Sequence, residues 1–155
     1  MERTRTHEEL ILVERRLFGL MDVDTDTWPE GRHPQDEPVT IHPGRIDFVS
    51  CAPDHRALVR LESWPTEPAE PEAQGDDDEI ELPSGHVQLW TLTMGPGEGI
   101  FEVGPPGRYA LRTTTEGCET ALELAMTGRP VPDGTERYVI RFWPLTPGDQ
   151  STMRT

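Results

Sequence analysis

Asp22, Asp24 and Asp26 place carboxylates at alternate positions, as at positions 1, 3 and 5 of a calcium loop, where successive side chains converge on one hard cation. That loop also requires Gly at position 6 and Glu at position 12, and the chain has Thr27 and His33 there, so a solvated acidic loop is the better reading. His33, His42, His55 and His86 with Cys51 carry zinc-ligating atoms, and Cys51 and His55 are the nearest pair. No second CxxC or HxxxH element accompanies them. As a nucleophile and base, Cys51 and His55 lie across a turn containing Pro53, with no third group to orient the base. Gly95-Pro96-Gly97-Glu98-Gly99 joins strand to strand rather than opening a helix, so it is no dinucleotide fingerprint, and neither a P-loop nor GxSxG occurs. The expectation is no catalytic residue, no metal and no cofactor. A small-molecule or metal-binding enzyme built on Asp22, Asp24 and Asp26 with His33 or His42 is the alternative.

Arg108, Arg112, Arg137 and Arg141 carry a different kind of chemistry. In Glu136 to Pro144, Tyr138, Ile140 and Phe142 fall on one face at a spacing of two and Arg137, Val139, Arg141 and Trp143 on the other. Gly107 to Thr113 repeats the pattern, with Tyr109, Leu111 and Thr113 inward and Arg108 and Arg112 outward. If the two strands pair, four arginines share one outer face, and like charges set opposite each other destabilise unless acids lie among them. Glu102, Glu136 or a folded-back acidic loop would supply these from within, the favoured account, since outer sheet faces carry salt-bridge ladders. An acidic ligand would supply them from outside.

The positioning elements must be short strands. With 155 residues, one domain is expected over 1–155, carrying acidic, proline-rich loops at 22–38 and 65–79 and a loose tail at 145–155. Thr66 to Glu81 holds eight acidic residues and no basic one, and is expected to be disordered at least in part. Trp28 and Trp64 adjoin the two acidic loops, so Trp28, Trp64, Asp76, Asp77, Asp78 and Glu79 form the expected partner-binding surface. The net charge of −15 repels phosphate backbones and argues against nucleic acid as a ligand, while favouring a basic protein partner. All 14 basic residues are Arg, a bias that fits GC-rich codon usage. Two cysteines without a signal-peptide pattern point to reduced thiols and a cytoplasmic protein, and no apolar run is long enough to cross a bilayer.

Residues 9–20 satisfy both a capped helix and a strand apolar on both faces, and the strand is preferred because Leu10 to Val13 is uninterrupted. Further strands are expected at 39–41, 45–51, 56–64, 80–82, 86–94, 99–103, 108–115 and 136–144, with 45–51 and 56–64 forming a hairpin. One helix, Cys118 to Thr127, has strong helix formers inside and Gly128 where a C-terminal cap belongs. Eight or nine short strands with Gly/Pro turns indicate an antiparallel β-sandwich.

Gly107-Arg108-Tyr109-Ala110-Leu111-Arg112, followed by Glu136-Arg137-Tyr138 and Trp143-Pro144, resembles the C-terminal arrangement of a group of actinobacterial β-sandwich proteins. More distantly the chain is similar to the competence-nuclease inhibitor family, small acidic β-sandwiches that bind and silence a nuclease. The resemblance covers about the C-terminal third and a weaker match at Leu17 to Asp22, and its motifs are structural. It implies a non-enzymatic protein-interaction module, an inhibitor or immunity-type protein for a nuclease or toxin. A structural accessory subunit is a further alternative.

Overall fold

Alternation of period two runs through most of the chain, and the computed structural model, which describes residues 5–25, 38–68 and 77–145, turns it into ten strands and one helix. One sheet has the order β1 (Arg5–Val13), β5 (His55–Ser63), β10 (Arg137–Pro144), β9 (Gly107–Glu116), β6 (Asp77–Leu82). The other has the order β3 (Val39–His42), β4 (Arg45–Val49), β2 (Leu17–Asp22), β7 (His86–Trp90), β8 (Pro96–Glu102). The inward positions of both sheets make one core. Phe18 stacks on Phe48 at 4.8 Å, and Tyr138 meets Phe18 edge-on at 5.0 Å. Leu20, Ile46, Val59, Val87, Leu111, Ile140 and Phe142 are fully buried around them. Each such side chain contributes about 1.5–3 kcal/mol by leaving water.

The mainly β sandwich is as expected, with differences of detail. Ten strands are present among the described residues because the segment around residues 9–20 is two, and β1 begins at Arg5, ahead of that segment. Its apolar run Leu10 to Val13 lies within β1 and is not covered on both faces: Ile11 and Val13 are buried while Leu10 is exposed, and the chain crosses to the other sheet only afterwards, at Glu14–Leu17. The sandwich is not purely antiparallel, since β10 runs parallel to β5 while antiparallel to β9. β4 and β5 are no hairpin, because they lie in different sheets. The acidic run expected in a disordered loop is in part a strand: Asp77 to Glu79 opens β6, an edge strand paired with β9. Residues 69–76 lie outside the described residues. The helix, α1 (Cys118–Met126), ends in a Schellman motif, with Gly128 N–H donating to Ala125 O at 3.1 Å and Arg129 N–H to Leu124 O at 2.9 Å.

The turn between β1 and β2 has a measurable consequence. Arg15 and Arg16 both adopt left-handed backbone, φ 53° and 71°, a conformation that costs a side-chain-bearing residue about 1 kcal/mol and that Asn or Gly relieves. Arg16 is held by its Nε donating to Ser50 O at 2.9 Å, whereas Arg15 is exposed. Arg15→Asn is therefore expected to raise stability by about 0.5–1 kcal/mol, read as a higher urea midpoint at unchanged slope; a lowered midpoint would refute the account.

Candidate functional site

The four arginines lie on the outer face of the first sheet, with Arg112 directly opposite Arg141 in the β9–β10 register. Each is met by acids of the same chain. Arg112 Nε donates to Asp77 Oδ1 at 2.7 Å and its Nη2 to Glu67 Oε2 at 2.8 Å, while its guanidinium lies 5.1 Å from the Trp143 ring centre. Arg108 donates to Glu79 at 2.8 Å, Arg137 to Glu116 at 2.8 Å, and Arg141 Nε to Glu62 Oε1 at 3.2 Å. Glu62 also accepts from Arg60 Nε at 2.7 Å and from the Trp64 indole at 2.9 Å. Burial works against ionisation of Glu62, but these hydrogen bonds and the charge of Arg141 together hold it below the ordinary carboxyl range. The hydrogen bond from Arg112, opposed by some burial, likewise lowers Asp77.

The acids that serve the arginines are only partly those expected. Glu102 ion-pairs with Arg5 at 3.6 Å instead, and Glu136 is in the interior. Asp77, Glu79 and Trp64, named as partner-binding residues, belong to this charge lattice; Asp78 points to the opposite side of β6 from Asp77 and Glu79. Trp28 and Asp76 lie outside the described residues, as do Asp26 and His33. The remaining carboxylates of the calcium-like run do not converge on an ion. Asp22 is fully buried, its Oδ1 accepting from Asp24 N–H at 2.9 Å and its Oδ2 from Ser84 and Gly85 N–H, each at 3.0 Å. It fixes the β6–β7 turn. The Gly-rich run serves packing: a Cβ at Gly99 would come within 2.7 Å of the His7 ring, and Glu98 N–H donates to Glu9 at 2.7 Å, so β8 closes against β1.

A second constellation lies in the interior, around the two cysteines. Cys51 and Cys118 form a disulfide, against the expectation of reduced thiols, tying the β4–β5 connection to the first residue of α1. Beside it, the fully buried Glu136 accepts from Ser50 Oγ at 2.5 Å and from Cys51 N–H at 3.1 Å. His55 Nε2 lies 2.9 Å from Ser50 Oγ. Because the single serine proton goes to Glu136, His55 must donate from Nε2. Burial holds that imidazole below its ordinary range despite the charge of Glu136, and burial, then Glu136, pushes the Tyr138 phenol well up.

These are residue types of a hydrolytic triad in the wrong order. A triad sets the imidazole between serine and acid so that it can take the serine proton, whereas here serine sits between imidazole and acid, inside the core. The group acts as a polar clamp joining the start of β10 to the β4–β5 connection and the first residue of β5, beside the disulfide that reaches α1. Its sequence signal was parity: Glu136 shares the inward phase of Tyr138, Ile140 and Phe142. A carboxylate at an inward strand position must find buried partners.

A cleft of about 420 Å³ opens between edge strands β3 and β6 and is lined by Ile41, His42, Pro43, Glu79, Ile80, Glu81 and Arg108. No described helix is long and apolar enough to cross a membrane.

No protein-family model matches the chain, and no curated protein sequence matches it. Two solved structures share the fold across nearly its whole length. One is the crystal structure of ComJ, inhibitor of the DNA-degrading activity of NucA, from Bacillus subtilis, at 15% identity and TM-score 0.61, covering 93% of this chain and 98% of that one. The other is described as crocagin biosynthetic gene J, at 16% identity and TM-score 0.60, covering 94% of this chain and 100% of that one. At such identities the likeness establishes the fold.

Proposed function

Starting from a fold shared with a nuclease inhibitor, we propose that this chain is a non-enzymatic protein-interaction module, an acidic inhibitor or immunity-type protein that binds a basic partner such as a nuclease or toxin. The observation that carries the reading is the disposition of charge. Arg5, Arg45, Arg60, Arg108, Arg112, Arg137 and Arg141 are each ion-paired within the chain, while the chain as a whole carries −15. The outer arginine face is thereby neutralised in place, and a field of acids is left to attract a basic surface. The acidic segment 65–79 and Trp64 supply the contact. The whole-chain likeness to ComJ supports an inhibitor, and the buried order of Ser50, His55 and Glu136 supports a role without catalysis.

The test is co-expression with a basic nuclease or toxin encoded beside the gene, followed by titration of the nuclease activity and of complex formation. Stoichiometric inhibition is expected, with an association rate that falls steeply as salt rises. Replacing residues 69–76 by a Gly/Ser segment of equal length should weaken it. A protein that neither binds nor inhibits any such neighbour would overturn the reading.

A further inference from the structure

We propose that, when the disulfide is reduced, Cys51 and Cys118 together with Glu136 form a binding site for a soft divalent cation of the zinc type, so that the same side chains hold either a disulfide or a metal. One sulfur of each cysteine and a carboxylate oxygen of Glu136 lie within 4.8 Å of one another. A tetrahedral zinc site, with bonds of about 2.3 Å to sulfur and 2.0 Å to oxygen, sets its donors about 3.3–3.8 Å apart. Closing the site thus requires the sulfurs to separate from bonding distance and the carboxylate to advance slightly. The construction of the region allows this. Cys51 lies in the β4–β5 connection and Cys118 opens a helix that buries only Ala121, so the sulfurs can part without disturbing the core. Both cysteines are half-buried, which leaves an entry path.

Glu136 supplies the second argument. It is a completely buried carboxylate, and among the described residues its direct partners are the Ser50 hydroxyl, the Cys51 amide, the Tyr138 hydroxyl and the His55 imidazole, with no arginine in ion-pair range. A buried acid without a permanently charged partner is unfavourable, and a bound cation provides that charge. Ser50 and the Cys51 amide already orient the carboxylate, as groups behind a metal ligand do. Two thiolates, one carboxylate and a water complete four-coordination, the donor set that suits zinc over calcium or magnesium.

The chemistry balances with a thiol reductant. A dithiol attacks the Cys51–Cys118 bond, supplies two electrons and leaves as its own disulfide; the two protein thiols then release their protons to solvent as the metal binds.

The full chain, reduced with a phosphine and freed of it without air, is titrated with zinc chloride against a chelating dye, and with cobalt chloride for its thiolate-to-cobalt absorption. One zinc per reduced chain is expected and none per oxidised chain. Cys51→Ser and Cys118→Ser should each abolish binding, and Glu136→Gln should weaken it by about 10–100-fold, the loss typical when a supporting or ligating group is removed. Glu136→Asp serves if Glu136→Gln does not fold, and should bind measurably more weakly than the parent. Glu119→Gln, one residue along the helix, should bind like the parent. Reduced protein that takes up no more zinc than Cys118→Ser overturns the proposal. So does unchanged affinity in the folded Glu136 variant.

Discussion

Glu62→Gln is expected to lower stability by about 3 kcal/mol at pH 7, the low end of the about 3–5 kcal/mol for removing one partner of a buried charge pair. The Glu62 side chain is 7% exposed and answers to Arg60, Arg141 and the Trp64 indole at once. Gln keeps the shape and some of the hydrogen bonding but removes the charge. Arg141, which faces Arg112 across the β9–β10 ladder, would then lose the Glu62 charge, and cross-strand like charges repel. The pH dependence identifies the cause. Glu62 titrates below its ordinary value of 4.5 in the folded chain, so its stabilisation is fully present above that value and is lost as pH falls through the lowered one. The gap between parent and Glu62→Gln should therefore be widest near neutrality and close on acidification. A gap that is constant from pH 7 to pH 3 would mean lost packing rather than lost charge. Asp77 titrates in the same direction, but its half-exposed side chain makes it the smaller contributor.

The same lattice shows how far the sequence could be read. Alternation assigned Tyr138, Ile140 and Phe142 to the core, and they are 3%, 0% and 0% exposed. The helix was legible for a local reason, its propensities and Gly128, which do not depend on the rest of the chain. Alternation says which face a residue is on, however, and not which strand lies beside it. Hence the sequence suggests a β4–β5 hairpin where the two strands lie in different sheets, and carries no sign of the parallel pairing of β5 with β10. The run Asp76 to Glu79 reads as partly disordered because it has no apolar area to bury. In the fold, Arg108 and Arg112 on β9 neutralise Glu79 and Asp77, a tertiary effect that local composition cannot contain. Glu136 is the instructive miss. Its charge suggests a place among the acids for the outer arginines, but it stands one residue before β10 in the inward phase of Tyr138, Ile140 and Phe142, and the chain enters the strand with that side chain already inside.

The disulfide was invisible for the opposite reason, since two cysteines 67 residues apart carry no local signal and a compartment argument pointed to thiols. Its removal should be the largest single effect in the protein. Closing a loop of that length withdraws conformational freedom from the unfolded chain worth about 4 kcal/mol, in the chain-entropy account. Cys51→Ala with Cys118→Ala, or reduction of the parent without added metal, is expected to cost about 3–4 kcal/mol, seen as a large drop in denaturant midpoint. The loss should also be uneven. A nine-residue helix is too short to persist alone, and α1 buries only Ala121. Its hold on the sandwich is the Cys118 bond and the Gly117 turn, where a Cβ would collide with Thr135 O. Amides of Ala121 to Met126 should therefore exchange nearly as fast as in an unfolded chain once the bond is broken, while those of β10 and β5 remain protected. If helix amides kept their protection after reduction, packing rather than the bond would be holding α1, and only the global loss would belong to the disulfide. A reduced protein with an unchanged midpoint would reject both parts.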